Sequence, residues 1–362
     1  MPDERNIDPL GADAMGQRPQ DVDGPGLADS QAEHEAAEDF FPETTRPAVL
    51  ADAPVQERFV AEEDETGLGA VDAVQTDGAP SSLWREAWDS LKRRPLFWVS
   101  AVLIFLMIAI AAVPQLFSST DPTFCELGNS LERARPGHPF GFDRQGCDIY
   151  ARAIYGARAS VTVGVLATLA VTILGSIIGA LAGFYGGWVD TILARVTDVF
   201  FAIPIVLAAI VVMQLFKQQR NVWTVIAVLA MFGWPQIARI TRGAVMSVKN
   251  EEFVTASTAL GSSKLATLAR HIMPNAAAPI IVTATVSLGI FIVLEATLSF
   301  LGIGLPPRVV SWGADISKAQ ASLRSMPQIL FYPAGFLAAT VLSFIMMGDA
   351  VRDALDPKAR KR

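Results

Sequence analysis

The sequence is short of the residue types that catalysis and metal binding draw on. In 362 residues there are three histidines, His34, His138 and His271, and two cysteines, Cys125 and Cys147. The histidines are scattered, no spacing matches a zinc-ligand cluster, and no nucleophile triad can be assembled. A phosphate loop of the form Gly-x-x-x-x-Gly-Lys-[Ser/Thr] is missing too. The nearest stretch, Gly261-Ser-Ser-Lys264, is too short and lacks the first glycine. These gaps exclude an ATPase site and a metal centre on this chain, and no cofactor of its own is expected. Nothing asks for a nucleic-acid partner. Charge is scarce as well: 18% of residues are charged and 51% hydrophobic, with mean hydropathy +0.37. Soluble domains carry about 25% charged residues, so the composition points to a membrane protein.

The net charge of −7 hides an uneven distribution. Residues 1–80 hold 20 Asp and Glu against 4 Arg, leaving 16 acids and 25 bases for the remainder. That first segment has no sustained apolar period and lacks the charged start and apolar core of a signal peptide. It is expected to be a disordered, acidic cytoplasmic tail, because it cannot bury enough surface to offset its ordering entropy. From Ser82 the pattern changes. Leu83, Trp84, Ala87, Trp88 and Leu91 fall on one helical face with charges opposite, so 82–95 reads as an amphipathic helix lying in the membrane interface.

Six apolar runs follow, each near the length of about 20 residues that a span needs. They cover roughly 97–117, 161–184, 199–216 with a kink at Pro204, 222 to beyond Trp234-Pro235, 277–301 and 329–347. The second carries Gly175, Gly179 and Gly183, a spacing that lets helices pack backbone to backbone in lipid. No internal repeat is visible. With both termini inside, inner segments from Arg85 onward hold 15 Lys and Arg and outer segments 10. The Lys92-Arg-Arg94 and Lys358 to Arg362 clusters then share the inner side. This orientation makes 118–160 and 302–328 extracytoplasmic, 240–275 a cytoplasmic loop and 353–362 a basic cytoplasmic tail. Cys125 and Cys147 share one polar loop, 22 residues apart. If it is extracytoplasmic they form a disulfide, the alternative being two free thiols.

Four blocks carry a resemblance. Glu252-Phe-Val-Thr-Ala-Ser-Thr-Ala-Leu-Gly261 through Pro274-Asn275 resembles the EAA loop of ABC importer permeases. Thr255-Ala256-Ser257 stands for the Glu-Ala-Ala triplet, Gly261 for its glycine and Pro274 for its proline. The run Gly141 to Ser160 resembles the dipeptide/oligopeptide branch, with Phe142 in place of threonine and Cys147 in place of arginine. Glu295 to Gly313 and Gly348 to Pro357 resemble the same branch.

The resemblance covers about 83–358 and implies an all-α membrane protein. Its core would be the six transmembrane helices of a type I importer permease, at 96–352. It implies residence in a bacterial inner membrane beside a second homologous permease. Two ATP-binding subunits, or one fused ATPase chain, would hold ATP and Mg²⁺, and an extracytoplasmic substrate-binding protein would deliver the load. Contact with the ATPases would fall to Glu252, Phe253, Ala256, Ser257, Leu260 and Gly261, with Pro274 the stop before the fifth span. Thr255 loses the ion pair the triplet's glutamate would make. Glu295, an ionisable group within a span, is either a pathway residue or a buried structural one. The expected cargo is a di- or oligopeptide; nickel or another small solute is the alternative within the family. An ion-coupled transporter working alone is the alternative outside it.

Overall fold

The computed structural model describes residues 83–355, with side chains from Arg85 onward. The acidic segment 1–80 and the Lys358 to Arg362 cluster lie outside the described residues. Within them the chain is helical, with isolated bridges in the loop before Ile149 and no strand. The helices are α1 (Leu83–Leu91), α2 (Pro95–Ala112), α3 (Ile149–Tyr185), α4 (Gly187–Ala202), α5 (Ile205–Leu215) and α6 (Val222–Val248). They continue with α7 (Glu252–Ala259), α8 (Lys264–Thr267), α9 (Met273–Phe300), α10 (Trp312–Ala319) and α11 (Gln328–Leu355).

Among the described residues, five stretches are each long and apolar enough to cross a membrane: α2, α3, α6, α8 through α9, and α11. Whether α4 and α5 add a sixth crossing is decided by the glycines of α3. A Cβ on Gly175 would stand 2.7 Å from Ile237 Cβ, one on Gly179 2.3 Å from the Ala238 carbonyl, and one on Gly183 2.8 Å from the Arg242 carbonyl. The numbers rise together on both helices, so α3 and α6 run parallel. Parallel neighbours cannot be joined by a turn, and the chain between them has to travel the length of the bundle once. Its contacts trace that path. Asp190 meets Arg242, Asp198 meets Arg239, and Phe200 packs on Trp234 with ring centroids 5.4 Å apart. Met213 joins Val225 and Leu229 in the core, and Arg220 Nη1 donates to the Gly302 carbonyl at 2.9 Å, beyond the far end of α9. The α4–α5 pair is therefore one broken span, bent by 81°, and the crossings among the described residues number six.

The bundle is organised around α3, which contributes to both large cores. One joins Val163, Ala167 and Val171 to α5, α6 and α9. The other joins Ile154, Ala157 and Val161 to Met107 and Ile110 of α2, Ile292 of α9, Trp312 of α10 and Phe344 of α11. Small residues make this closeness possible, as they do between helices in lipid generally.

Several helix limits differ from the apolar runs, each for a local reason. The first span ends at Ala112, before the expected 117, because Pro114 opens a tight turn and Arg158 of α3 donates to the carbonyls of Ala111 (3.2 Å) and Ala112 (2.9 Å). The second helix begins at Ile149, not near 161, because the Asp148 carboxylate accepts from the backbone N–H of Tyr150 and Ala151. The third starts at Gly187 and is broken at Pro204, beyond the simple kink expected. Pro274 does not stop a helix. The stretch Lys264–Phe300 is continuous, with a π turn at Leu268–Ile272 absorbing the missing N–H, and Pro274 sits in the first turn of α9, where a proline is tolerated. The loop expected at 240–275 is shorter, since α6 runs to Val248.

Candidate functional site

At the end of the bundle where α3 and α6 finish, α7 and α8 form a small knob. Glu252 opens α7 as a first-turn acid, complementing the partial positive charge there. Gly261 closes it with φ 87°. The Gly261 N–H reaches the Thr258 carbonyl at 3.0 Å and the Ser262 N–H the Ser257 carbonyl at 3.2 Å, a Schellman closure that wants a residue in the left-handed region. A Cβ on Gly261 would meet nothing within 4 Å, so φ alone sets the requirement. Ser263 then caps α8, its hydroxyl accepting from the Ala266 N–H.

The knob is held to the bundle mainly by Val254, which shares a core with Ala180, Val245, Leu268, Ile272 and Ala276. Everything else on α7 faces outward. Leu260 is 90% exposed, Leu265 67% and Phe253 44%; Glu252, Thr255, Ala256 and Gly261 are exposed and Ser257 half-exposed. Three large apolar side chains are thus displayed on a rigid turn. Pro274, also expected here, lies past the π turn at the base of α9.

The opposite end is closed. The loop 113–148 is stitched by the Cys125–Cys147 disulfide. The Asp143 carboxylate accepts from the N–H groups of Gln145 (2.8 Å) and Cys147 (2.9 Å), and His138 Nδ1 lies 2.6 Å from Asp148 Oδ2. Trp312 is fully buried and donates from Nε1 to the Ala153 carbonyl at 2.8 Å. Arg152 binds Asp315 of α10, Nε to Oδ1 at 3.0 Å, and the Pro122 carbonyl at 3.1 Å. Burial pushes the Asp315 carboxyl above its ordinary range, with Arg152 pulling the other way, and pushes the Lys318 ammonium down.

Between the two ends, a cavity of 230 Å³ opens beside the break in the third span. Its walls include Phe200, Phe201, Pro204, Pro235, Phe291, Gln236 and Ser287, the last two supplying polar groups. A second, of 290 Å³, lies nearer the knob between α3, α4 and α6, with Asp198, Arg239 and Arg242 at its rim. Glu295 lines neither. It is fully buried, Oε1 accepting from the Ser299 hydroxyl at 2.7 Å, and that hydroxyl accepts from the Leu305 N–H at 3.3 Å.

A bundle of six crossings with a protruding helical knob has a counterpart among known proteins. Residues 175–361 match the family model of the binding-protein-dependent transport system inner membrane component. The chain belongs to that family. It is a multi-pass inner-membrane permease of the importer class. Residues 82–135 match the N-terminal TM domain of oligopeptide transport permease C. Among curated proteins, the chain is 38% identical over 298 residues to an oligopeptide transport system permease protein of Bacillus subtilis, covering 82% of this chain and 97% of that one. It is 36% identical to a dipeptide transport system permease protein of Alkalihalophilus pseudofirmus, over 77% of this chain and 91% of that protein. To a glutathione transport system permease protein of Escherichia coli it is 33% identical, over 82% of this chain and 97% of the other.

Sequence reasoning missed the ion pairs between α4 and α6. Their signal was present as four charged residues, Asp190, Asp198, Arg239 and Arg242, at the margins of apolar runs where charge is costly without a partner. Their pairing is non-local, and no single helix announces it.

Proposed function

We infer that this chain forms half of the translocation pathway of an ATP-driven importer for di- and oligopeptides. The observation that carries this reading is the α7–Gly261–α8 knob, which displays Phe253, Leu260 and Leu265 on a rigid turn anchored chiefly by Val254. Apolar side chains on a short helix fit the groove of a soluble partner. The partners are two ATP-binding subunits, or one fused chain. Glu252, Phe253, Ala256, Ser257, Leu260 and Gly261 make the contact, with Thr255 at its edge. ATP and Mg²⁺ bind those subunits, and this chain supplies no hydrolytic group.

The knob faces the cytoplasm and the disulfide-bearing cap faces outward. The excess of Lys and Arg on the knob side supports this, as does a disulfide in an oxidising compartment. ATP binding draws the ATPase subunits together, the knobs ride with them, and this chain rocks against a second permease. An extracytoplasmic binding protein releases peptide over the cap. The cavity at the break in the third span, apolar apart from Gln236 and Ser287, then belongs to the path. Glu295 acts as a buried hydrogen-bonded strut between α9 and the 302–309 loop.

The test is uptake of trialanine by cells or proteoliposomes carrying the whole complex. Uptake should follow ATP, survive collapse of the proton gradient and be competed by dipeptides. Uptake that follows an ion gradient without ATP would overturn the reading.

A further inference from the structure

We propose that the Arg242–Asp190 and Arg239–Asp198 ion pairs transmit movement of the knob to α4, the half-helix that walls the central cavity. This rests on the importer reading and names the residues through which it would work.

The geometry runs in one line. Val254 of the knob packs with Val245 on the last turns of α6. One turn earlier, Arg242 forms a two-pronged pair with Asp190, Nε to Oδ1 at 2.5 Å and Nη2 to Oδ2 at 2.7 Å. Next along α6, Arg239 Nη2 donates to Asp198 Oδ1 at 2.8 Å, and its guanidinium covers the Phe201 ring at 3.8 Å from the centroid. Phe201 lies in the wall of the central cavity, at the break. Asp198 has a further neighbour in Arg195 at 3.7 Å, on the same helix.

What makes these pairs the transmitting contact is how little else holds α4. Only Thr197 of its sixteen residues is buried, and beneath it lies the 290 Å³ cavity against α3 and α6. A half-helix with an open space under it and a break at Pro204 is tied to α6 by these two pairs and, at the end beside the break, by Phe200 on Trp234. The α3–α6 contact, by contrast, is backbone on backbone at Gly179 and Gly183 and cannot give. Arginine suits the role because its planar fork fixes direction as well as distance.

The test uses the complete importer in proteoliposomes, measuring trialanine uptake and ATP hydrolysis together. Arg242→Gln should leave the ATPase subunits bound and hydrolysing while uptake per ATP falls about tenfold. The reversed pair, Asp190→Arg with Arg242→Asp, should recover most of that loss. A role in folding alone would lower uptake and hydrolysis in proportion, leaving their ratio unchanged, and would overturn the proposal. A second readout needs no substrate: spin labels on Trp188→Cys of α4 and Lys264→Cys of the knob. Their separation should stay narrowly distributed on nucleotide binding in the otherwise unaltered chain and broaden with Arg242→Gln. An unchanged distribution in that variant would overturn the proposal. Absence of ATP-driven trialanine uptake in the unaltered complex would instead sink the importer reading, and the spin-label result would still judge the ion pairs.

Discussion

The two ends of the bundle are built by opposite rules. At the cap, the groups that hold its shape are turned inward: Trp312 is fully buried and bonded to the Ala153 carbonyl, Arg152 and Asp315 are paired out of water, and a disulfide closes the loop. At the knob, the large side chains are turned outward, with Leu260 at 90% exposure and Val254 the buried residue of α7. A region that must hold its shape while helices rock beneath it needs internal bonds. A region that must hold another protein needs exposed apolar side chains on a turn that does not bend. On the proposed reading, the difference means that mutations at the two ends should fail in different assays.

The largest effect expected from this contrast is at the cap. Trp312→Ala should lower the stability of the detergent-solubilised chain by about 3 kcal/mol or more, from the cavity left in the core and the lost hydrogen bond to the Ala153 carbonyl. Thermal unfolding measures it, and a loss under about 1 kcal/mol would mean that the cap is not the rigid end. Next, replacing both Cys125 and Cys147 by serine should cost about 3 kcal/mol, the size expected for a loop of this length. The same shift should appear when reductant is added to the unaltered chain and be absent in the double variant. Smaller again is Gly179→Ala, which presses a methyl on the Ala238 carbonyl 2.3 Å away. It should cost about 1–3 kcal/mol as α3 and α6 are forced apart. At the knob, Leu260→Asp should leave stability within about 0.5 kcal/mol, as for an exposed site, yet remove retention of the ATPase subunits. A large stability loss there, or undiminished retention, would blur the contrast between the ends.

How much of this could be read beforehand depends on whether the signal is local. The apolar runs, the Gly175, Gly179 and Gly183 comb and the knob's glycine are local patterns, and each marks a real feature of the fold: spans, a tight helix pair and a Schellman turn. The start of α3 at Ile149 was hidden because Arg152, Tyr155 and Arg158 look like loop residues until the cap supplies their partners: Asp315, the Ser118 carbonyl, and the carbonyls of Ala111 and Ala112. The run through Pro274 was hidden because a π turn can absorb a proline that ordinarily ends a helix. The broken third span needed the parallel contact of α3 with α6 to be seen as a crossing at all. Among site residues, Phe253 and Leu260 are picked out by the resemblance of one continuous stretch, whereas the pairing of Asp190 with Arg242 spans 52 residues and is fixed only by the bundle.

The most direct test of the central claim, that the knob is where ATPase subunits attach, is co-purification. The tagged chain is isolated in mild detergent and its companions are identified by mass spectrometry, with and without Leu260→Asp. The unaltered chain should bring a second permease and ATP-binding subunits, and the variant should keep the permease while losing the ATP-binding subunits. Recovery of the unaltered chain alone, stable and competent for uptake without ATP, would contradict the claim.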